Sequence, residues 1–198
     1  MKGLLLVLVL LLGACTTLPP SHPDDICRIF QEQKHWYGDA KAASERWQIP
    51  IPILMATMKI ESGYRAKARP ARPYYLGFIP GARPSDAYGY AQAKEATWAV
   101  YRHDAGHGFA SRDDFADAVD FMGWYDHGSV LRNHIAPNDA YHLYLSYHEG
   151  QGGYARHSYE GKPWLLAIAH HVEATSHRYA TQLAGCIADL ESSQHHWF

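Results

Sequence analysis

The chain has 198 residues, 47% of them hydrophobic, so it is long enough to bury the core of one domain. Its 18 Lys and Arg residues and 20 Asp and Glu residues give a formal net charge of −2, and like charges never run beyond two residues. This balance excludes the basic surface that binding to nucleic acid requires.

The first 14 residues predict a cleaved signal peptide. They carry one lysine, an apolar run over residues 4–12 and two small residues before Cys15, and the run is too short to remain as a membrane span. The segment Leu12-Gly13-Ala14-Cys15 resembles the lipobox of bacterial lipoproteins, which implies lipid on Cys15. By the same resemblance, Thr16 implies an outer-membrane lipoprotein that faces the periplasm, tethered and not spanning. An ordinary secretory peptide with an incidental cysteine is the alternative.

A linker and a single domain are predicted to follow the signal peptide. Residues 15–23 contain three prolines and are predicted to be an extended linker between the lipid and a domain over residues 24–198.

Once Cys15 is set aside, Cys27 and Cys186 remain near opposite ends of that domain. In an oxidising compartment we predict a disulfide between them, with two buried thiols as the alternative.

Helical patterns begin directly after the linker. The acidic pair at 24–25 can start a helix that continues towards Trp47. Pro50 and Pro52 suit the first turn of a second helix, which carries Glu61 and ends at Gly63. Residues 66–86 then break the pattern with four prolines and three aromatic residues, and loops of this length are usually functional or disordered.

The second half of the chain is also helical in pattern. One helix is expected near residues 94–102, and Ser111 with Asp114 resembles a capping box that opens another. A further helix is expected from Pro137 to Gly150, and a last one from Pro163 that stops before Gly185. Because no alternating strand exceeds four residues, we predict a mainly α fold.

Glu61 is the candidate catalytic residue. It ends an apolar stretch over residues 53–60, so a buried helix would carry its carboxyl into a mostly apolar setting. Desolvation disfavours the charged form and raises the pKa of such a carboxyl, as a general acid near neutral pH requires.

Three segments in order resemble one known family. They are Ile60-Glu61-Ser62, then Gly89-Tyr90-Ala91-Gln92 followed by Thr97-Trp98, and then Ser146-Tyr147-His148-Glu149-Gly150. Together they are similar to the motifs of the lytic transglycosylases of the soluble, goose-lysozyme-like type, which cleave bacterial peptidoglycan. The resemblance implies a lysozyme-like single catalytic domain with a substrate groove that binds glycan strands.

The resemblance also implies roles for individual residues. Glu61 would protonate the oxygen leaving N-acetylmuramic acid and then deprotonate that sugar's 6-hydroxyl, closing a 1,6-anhydro ring without water. Ser62 would orient Glu61. The remaining residues expected to bind substrate are Tyr90, Gln92, Tyr147, His148, Glu149 and Tyr154. Gln92 and the backbone near Tyr147 would hold acetamido groups, and ordinary packing is the favoured interpretation of Tyr154.

The departures from the family leave alternatives open. Tyr90-Ala91 replaces Leu-Met, which would move an aromatic ring into the groove wall. His148 and Glu149 replace Asn and Ala, so a second carboxyl is available, either as a base for water or as a solvated helix end. Trp164 stands where the family has a tyrosine at the start of the last helix. The alternatives are a hydrolytic muramidase that uses Glu61 and Glu149, a non-catalytic wall-binding lipoprotein, and a structural partner in an envelope assembly.

No metal or cofactor is expected. The 14 histidines lack the spacing of metal sites, since no His-Glu-x-x-His occurs and adjacent pairs such as His170-His171 point to different helix faces.

Overall fold

A computed structural model describes residues 18–194, so the predicted signal peptide and Cys15 lie outside the described residues. Within that range the fold is mainly α, as predicted. The elements are α1 (Ile26–Glu32), α2 (Trp36–Trp47), α3 (Ile51–Ser62), β1 (Tyr74–Tyr75), β2 (Ile79–Pro80), α4 (Glu95–Asp104), α5 (Phe115–Asn133), α6 (Ala140–Glu149), α7 (Gln151–Ala155) and α8 (Pro163–Gln194).

The first predicted helix is two helices in the structure. Asp25 caps α1, accepting hydrogen bonds from the backbone of Cys27 and Arg28. The expected continuation to Trp47 is wrong, because the chain leaves helical geometry after Glu32 and α2 begins at Trp36. The turn brings the rings of Phe30 and Tyr37 into edge contact at 5.4 Å, which buries both.

Helix α3 lies at the centre of the core. It begins after Pro50 and ends at Gly63, which adopts the left-handed conformation at φ 59°, as predicted. Every residue from Ile53 to Met58 is buried, and α3 packs against α2, α5 and α8. The helix that carries Glu61 is therefore held on several sides.

The later helix boundaries depart from the predictions. Asp114, not Ser111, caps α5. Helix α6 begins at Ala140, three residues after its predicted start at Pro137, and is capped by Asp139. Each cap accepts a hydrogen bond from a backbone N–H in the first turn. The short helix α7 was not predicted. Helix α8 runs through Gly185 to Gln194, because Leu190, seven residues after the buried Leu183, continues the buried face beyond the glycine.

The long loop carries a small hairpin. Tyr74 pairs with Pro80 and Tyr75 with Ile79 in antiparallel register. All residues from 71 to 80 are exposed. The loop therefore extends beyond the packed helices.

The predicted disulfide is confirmed. Cys27 on α1 and Cys186 on α8 are bonded, with their Cα atoms 6.2 Å apart and a sequence separation of 159. In the described part of the chain, no helix is both long and apolar enough to pass through a membrane.

Candidate functional site

Glu61 lies in the last turn of α3 and is half-buried. Burial raises the pKa of its carboxyl to about 7, while a hydrogen bond with the hydroxyl of Tyr144 opposes the rise. A carboxyl with a pKa near 7 is present in both forms at neutral pH, so it can give up a proton and later take one back.

Tyr144 was missed in the sequence. It lies on α6 and is 3% exposed, and its hydroxyl is hydrogen-bonded to Glu61. The signal was its spacing: residues three apart lie on one helix face, and Tyr144 precedes the motif residue Tyr147 by three.

Tyr147 connects the Glu61 region to the loop that carries Gln92. Its hydroxyl donates to the carbonyl of Ala91 at 2.6 Å. Burial raises the pKa of Tyr147 well above its usual value, and the nearby charge of Glu61 raises it further. Tyr147 therefore stays a neutral donor beside the acid.

Gln92 shapes its own loop. Its backbone is left-handed at φ 47°, and its side-chain nitrogen donates to the carbonyls of Ala68 at 3.0 Å and Gly89 at 2.8 Å. Both amide protons are thereby used. Only the side-chain oxygen of Gln92 remains to contact a ligand, and it would accept a hydrogen bond.

The side chains of Ser62 and Tyr90 are both buried. The hydroxyl of Ser62, buried, donates to the Met58 carbonyl one turn earlier at 3.1 Å. The ring of Tyr90 is 1% exposed and makes edge contacts with Trp36 at 5.6 Å and Phe115 at 5.8 Å. Contrary to expectation, the ring of Tyr90 is a core residue, because the hydrophobic cluster around α2 encloses it.

Glu149 is neither a solvated helix end nor a free base. Its side chain is 6% exposed, and its two oxygens lie 2.7 and 2.8 Å from the Lys162 ammonium. Ser158 donates to the same carboxylate and His148 contacts it at 3.2 Å. Burial alone would raise the pKa of Glu149, but these partners, led by Lys162, lower it to about 2. Glu149 is therefore a fixed anion that joins α6 to the segment before α8.

His148 and Tyr154 contact other aromatic rings. The ring of His148 lies 5.3 Å from that of Trp164, which is 53% exposed at the start of α8. The ring of Tyr154 stacks on Tyr159 at 5.2 Å. The structure thus gives Tyr154 a packing contact, the favoured interpretation of this residue.

A cleft of about 820 Å³ opens beside α5. Its walls come from α4, α5 and the start of α7, and they include Thr97, Trp124, Tyr125 and Gln151. The ring of Tyr125 packs edge-on against Tyr147 at 5.2 Å. The lining of the cleft includes neither Glu61 nor Gln92. The cleft is linked to the Glu61 region through this contact between Tyr125 and Tyr147.

A second carboxyl is buried nearby. Asp126 on α5 is 1% exposed, and neither of its oxygens has a hydrogen-bond partner. Burial raises the pKa of Asp126 well above its usual value, so it is held as the neutral acid. It lies close enough to Tyr125 and Tyr147 that a charge on it would raise the pKa of both hydroxyls.

Metal ligation is not indicated by the geometry. Among residues 18–194, no three His, Cys, Asp or Glu side chains are grouped closely enough to hold an ion.

Comparison with known proteins gave one match. The family model described as the transglycosylase SLT domain matches residues 3–186. No curated protein and no solved structure matches the chain.

Proposed function

Since this chain belongs to the transglycosylase SLT domain family, we propose that it is a peptidoglycan lytic transglycosylase with Glu61 as its single acid and base. It would cleave the β-1,4 bond between N-acetylmuramic acid and N-acetylglucosamine. The observation that carries the proposal is the half-buried carboxyl of Glu61, whose pKa burial raises to about 7.

In the proposed reaction Glu61 first donates a proton and then accepts another. Protonated Glu61 gives its proton to the glycosidic oxygen as the bond from the muramic acid C1 breaks. The resulting carboxylate then removes the proton of the same sugar's 6-hydroxyl, whose oxygen bonds to C1. One C–O bond breaks, one forms, and Glu61 ends protonated with no water consumed.

Tyr144 supports both steps in this scheme. Its hydroxyl holds the carboxyl of Glu61 from α6, so the acid keeps one orientation between the two transfers. Its hydrogen bond also stabilises the intermediate carboxylate, which explains why it lowers the pKa of Glu61 while burial raises it.

The state of Glu149 favours this reaction over hydrolysis. A hydrolytic partner would have to accept a proton from water, yet Glu149 is already paired with Lys162 and Ser158 and its pKa is lowered to about 2. Such an anion is a weak base. Asp126, the other buried carboxyl near the site, is fully enclosed.

We propose that the glycan strand passes Glu61 and Gln92 and extends into the cleft beside α5, whose own lining includes neither residue. The aromatic rings of Trp124 and Tyr125 in its walls are suited to the apolar faces of sugar rings. The free oxygen of Gln92 can accept the N–H of an acetamido group. Tyr147 would then lie between the bound sugars and the buried carboxyl of Asp126.

Membrane attachment through Cys15 is part of the proposal. It rests on residues 1–14 as a lipoprotein signal peptide, 15–23 as the linker and 24–198 as the catalytic domain. The described part of the linker already contacts the domain, because Ser21 donates to Glu32 at 2.8 Å and the Leu18 carbonyl accepts from Gln33 at 3.0 Å. An outer-membrane lipoprotein facing the periplasm would hold the cleft close to the wall.

The test is digestion of purified sacculi, with the released fragments weighed by mass spectrometry. A lytic transglycosylase yields anhydro-muramic ends, which are one water lighter than the reducing ends made by a hydrolase. Reducing ends alone would establish a muramidase, and no soluble fragments would establish a wall-binding protein.

A further inference from the structure

The hairpin tip carries the densest run of exposed large apolar side chains in the described chain. Five large apolar side chains lie within six residues, each between 45% and 83% exposed: Tyr74, Tyr75, Leu76, Phe78 and Ile79. No charged residue lies between them. Contiguous apolar exposure of this kind marks a surface that contacts another body.

The stem of the loop is strongly basic. Residues 62–85 contain five Lys or Arg residues and no Asp or Glu, although the whole chain carries a net charge of −2. Within the described chain, none of these five side chains forms an ion pair with a carboxylate: Arg65, Lys67, Arg69, Arg72 and Arg83. The loop therefore combines an apolar tip with a cationic base, within which Lys67 lies near the Asp113 carboxylate and Arg69 lies over the ring of Tyr88.

A series of contacts leads from the N-terminal segment to the base of the loop. Leu18 is held by Gln33, three residues before Trp36, whose ring contacts Tyr90 at 5.6 Å. The backbone N–H of Gly89, next to Tyr90, donates at 3.0 Å to the carbonyl of Ala68 at the base of the loop. A short series of contacts thus joins the start of the described chain to the loop.

The short segment between Cys15 and Leu18 limits how far the domain can stand from a bilayer. From Cys15 to Leu18 the chain has three residue steps, which reach about 10 Å when extended. A lipid on Cys15 would therefore hold Leu18, and Gln33 to which it is hydrogen-bonded, close to the headgroups.

We propose that the loop over residues 65–84, with its tip at residues 74–79, is a second membrane contact that inserts into an anionic lipid surface. This inference rests on the lipid anchor of the proposed function. The aromatic and aliphatic tip would enter the boundary between headgroups and acyl chains, as interfacial segments do. The basic stem would lie among anionic headgroups. The loop then orients the cleft and does not take part in the reaction.

The test places an environment-sensitive fluorophore on the tip of the full chain. Leu76→Cys is labelled with a thiol-reactive dye, and wild-type protein treated identically corrects for labelling elsewhere. Phe109→Cys is the matched control, because Phe109 is a fully exposed apolar residue outside the loop. Both proteins are reconstituted into vesicles of phosphatidylethanolamine with phosphatidylglycerol, and separately into phosphatidylcholine vesicles.

If the tip inserts, the dye at position 76 should show a blue shift and brighter emission in the anionic vesicles, and bromolipids should quench it. The dye at position 109 should show none of these changes. Replacing Arg65 and Arg72 by Gln should weaken insertion about fivefold for each arginine removed. Unchanged emission from position 76 in both vesicle types would overturn the proposal. A shift seen only with purified sacculi would assign the loop to the wall instead. Release of anhydro fragments, assayed in detergent, tests the proposed reaction separately from these signals.

Discussion

The hydroxyl of Tyr144 is hydrogen-bonded to the carboxyl of Glu61. This bond joins the end of α3 to the middle of α6, two helices that are far apart in the chain. The pKa of Glu61 reflects two opposing effects: burial raises it, and the hydrogen bond from Tyr144 lowers it.

Glu61→Gln should abolish cleavage without loss of folding. The amide keeps the shape of the side chain but has no proton to give, and loss of general acid catalysis costs roughly 10²- to 10⁴-fold in rate. The rate is measured as soluble fragment release from sacculi, and the melting temperature is measured in parallel. Cleavage at the wild-type rate by this variant would show that another residue is the acid.

The rate should fall as the pH rises through about 7, because Glu61 must be protonated for the first step. A hydrolase that also needed an ionised Glu149 would lose activity at low pH as well. The profile of kcat/KM should therefore fall at high pH, without an acidic limb from a second carboxylate.

Tyr144→Phe should move that alkaline limb to higher pH. The variant loses the hydrogen bond that lowers the pKa of Glu61, so the acid keeps its proton further into the alkaline range. The rate at the optimum should drop roughly tenfold, as expected for one hydrogen bond to a charged group. Tyr141→Phe, one turn earlier on α6, is the control and should leave the limb in place.

Glu149→Gln should cost about 2 kcal/mol of stability, because Lys162 loses its ionised partner. The products should remain anhydro sugars. Since the pKa of Glu149 is lowered to about 2, its stabilisation is present above the usual glutamate pKa of about 4.3 and is lost as pH falls towards 2. A double-mutant cycle with Lys162→Met, followed by urea unfolding, measures the coupling, and additive effects would contradict the ion pair.

Asp126→Asn should become more stable relative to wild type as pH rises. Folded wild type retains the proton on Asp126 while the unfolded chain releases it above a pH of about 4, so wild-type stability falls by up to about 1.4 kcal/mol per pH unit. Urea unfolding near pH 5 and near pH 8 measures the difference. Asp120→Asn removes a hydrogen-bonded carboxylate instead and should be destabilised at both. If the difference in unfolding free energy between Asp126→Asn and wild type were the same at both pH values, Asp126 would be ionised in the folded protein.

Removing the disulfide with Cys27→Ala and Cys186→Ala should lower stability by about 5 kcal/mol in the chain-entropy model, given its sequence separation of 159. Activity per folded molecule should not change, because α1 carries no residue of the proposed site. Chemical denaturation at equal protein concentration measures the loss. A variant as stable as wild type would show that helix packing alone holds α1 against α8.

Local signals in the sequence predicted much of the fold. Pro50 and Gly63 bound α3 correctly because their conformational preferences act at the residue itself. The break before Trp36 was not predicted, since apolar residues continue on both sides of it and the turn depends on packing between Phe30 and Tyr37. Gly185 predicts a stop, but the buried Leu190 beyond it keeps α8 helical.

The candidate site was predictable only in part. The apolar run before Glu61 indicated a raised pKa because the cause is burial by its own helix. The partner of Glu149 was not predictable, since Lys162 follows it by 13 residues across a short helix and a turn. Tyr90 was assigned to the groove wall from its motif, whereas α2 and α5 supply the rings that enclose it.

The bridge between Cys27 and Cys186 also brings the two ends of the described chain together. The Leu18 carbonyl accepts a hydrogen bond from Gln33 just after α1, and Glu191 lies 2.7 Å from Lys41 on α2. Segments near both ends of the described chain are thus attached to the α1–α2 region. A circular permutant joined across these neighbouring ends and opened in the exposed turn near Gly108 should therefore fold to the same architecture.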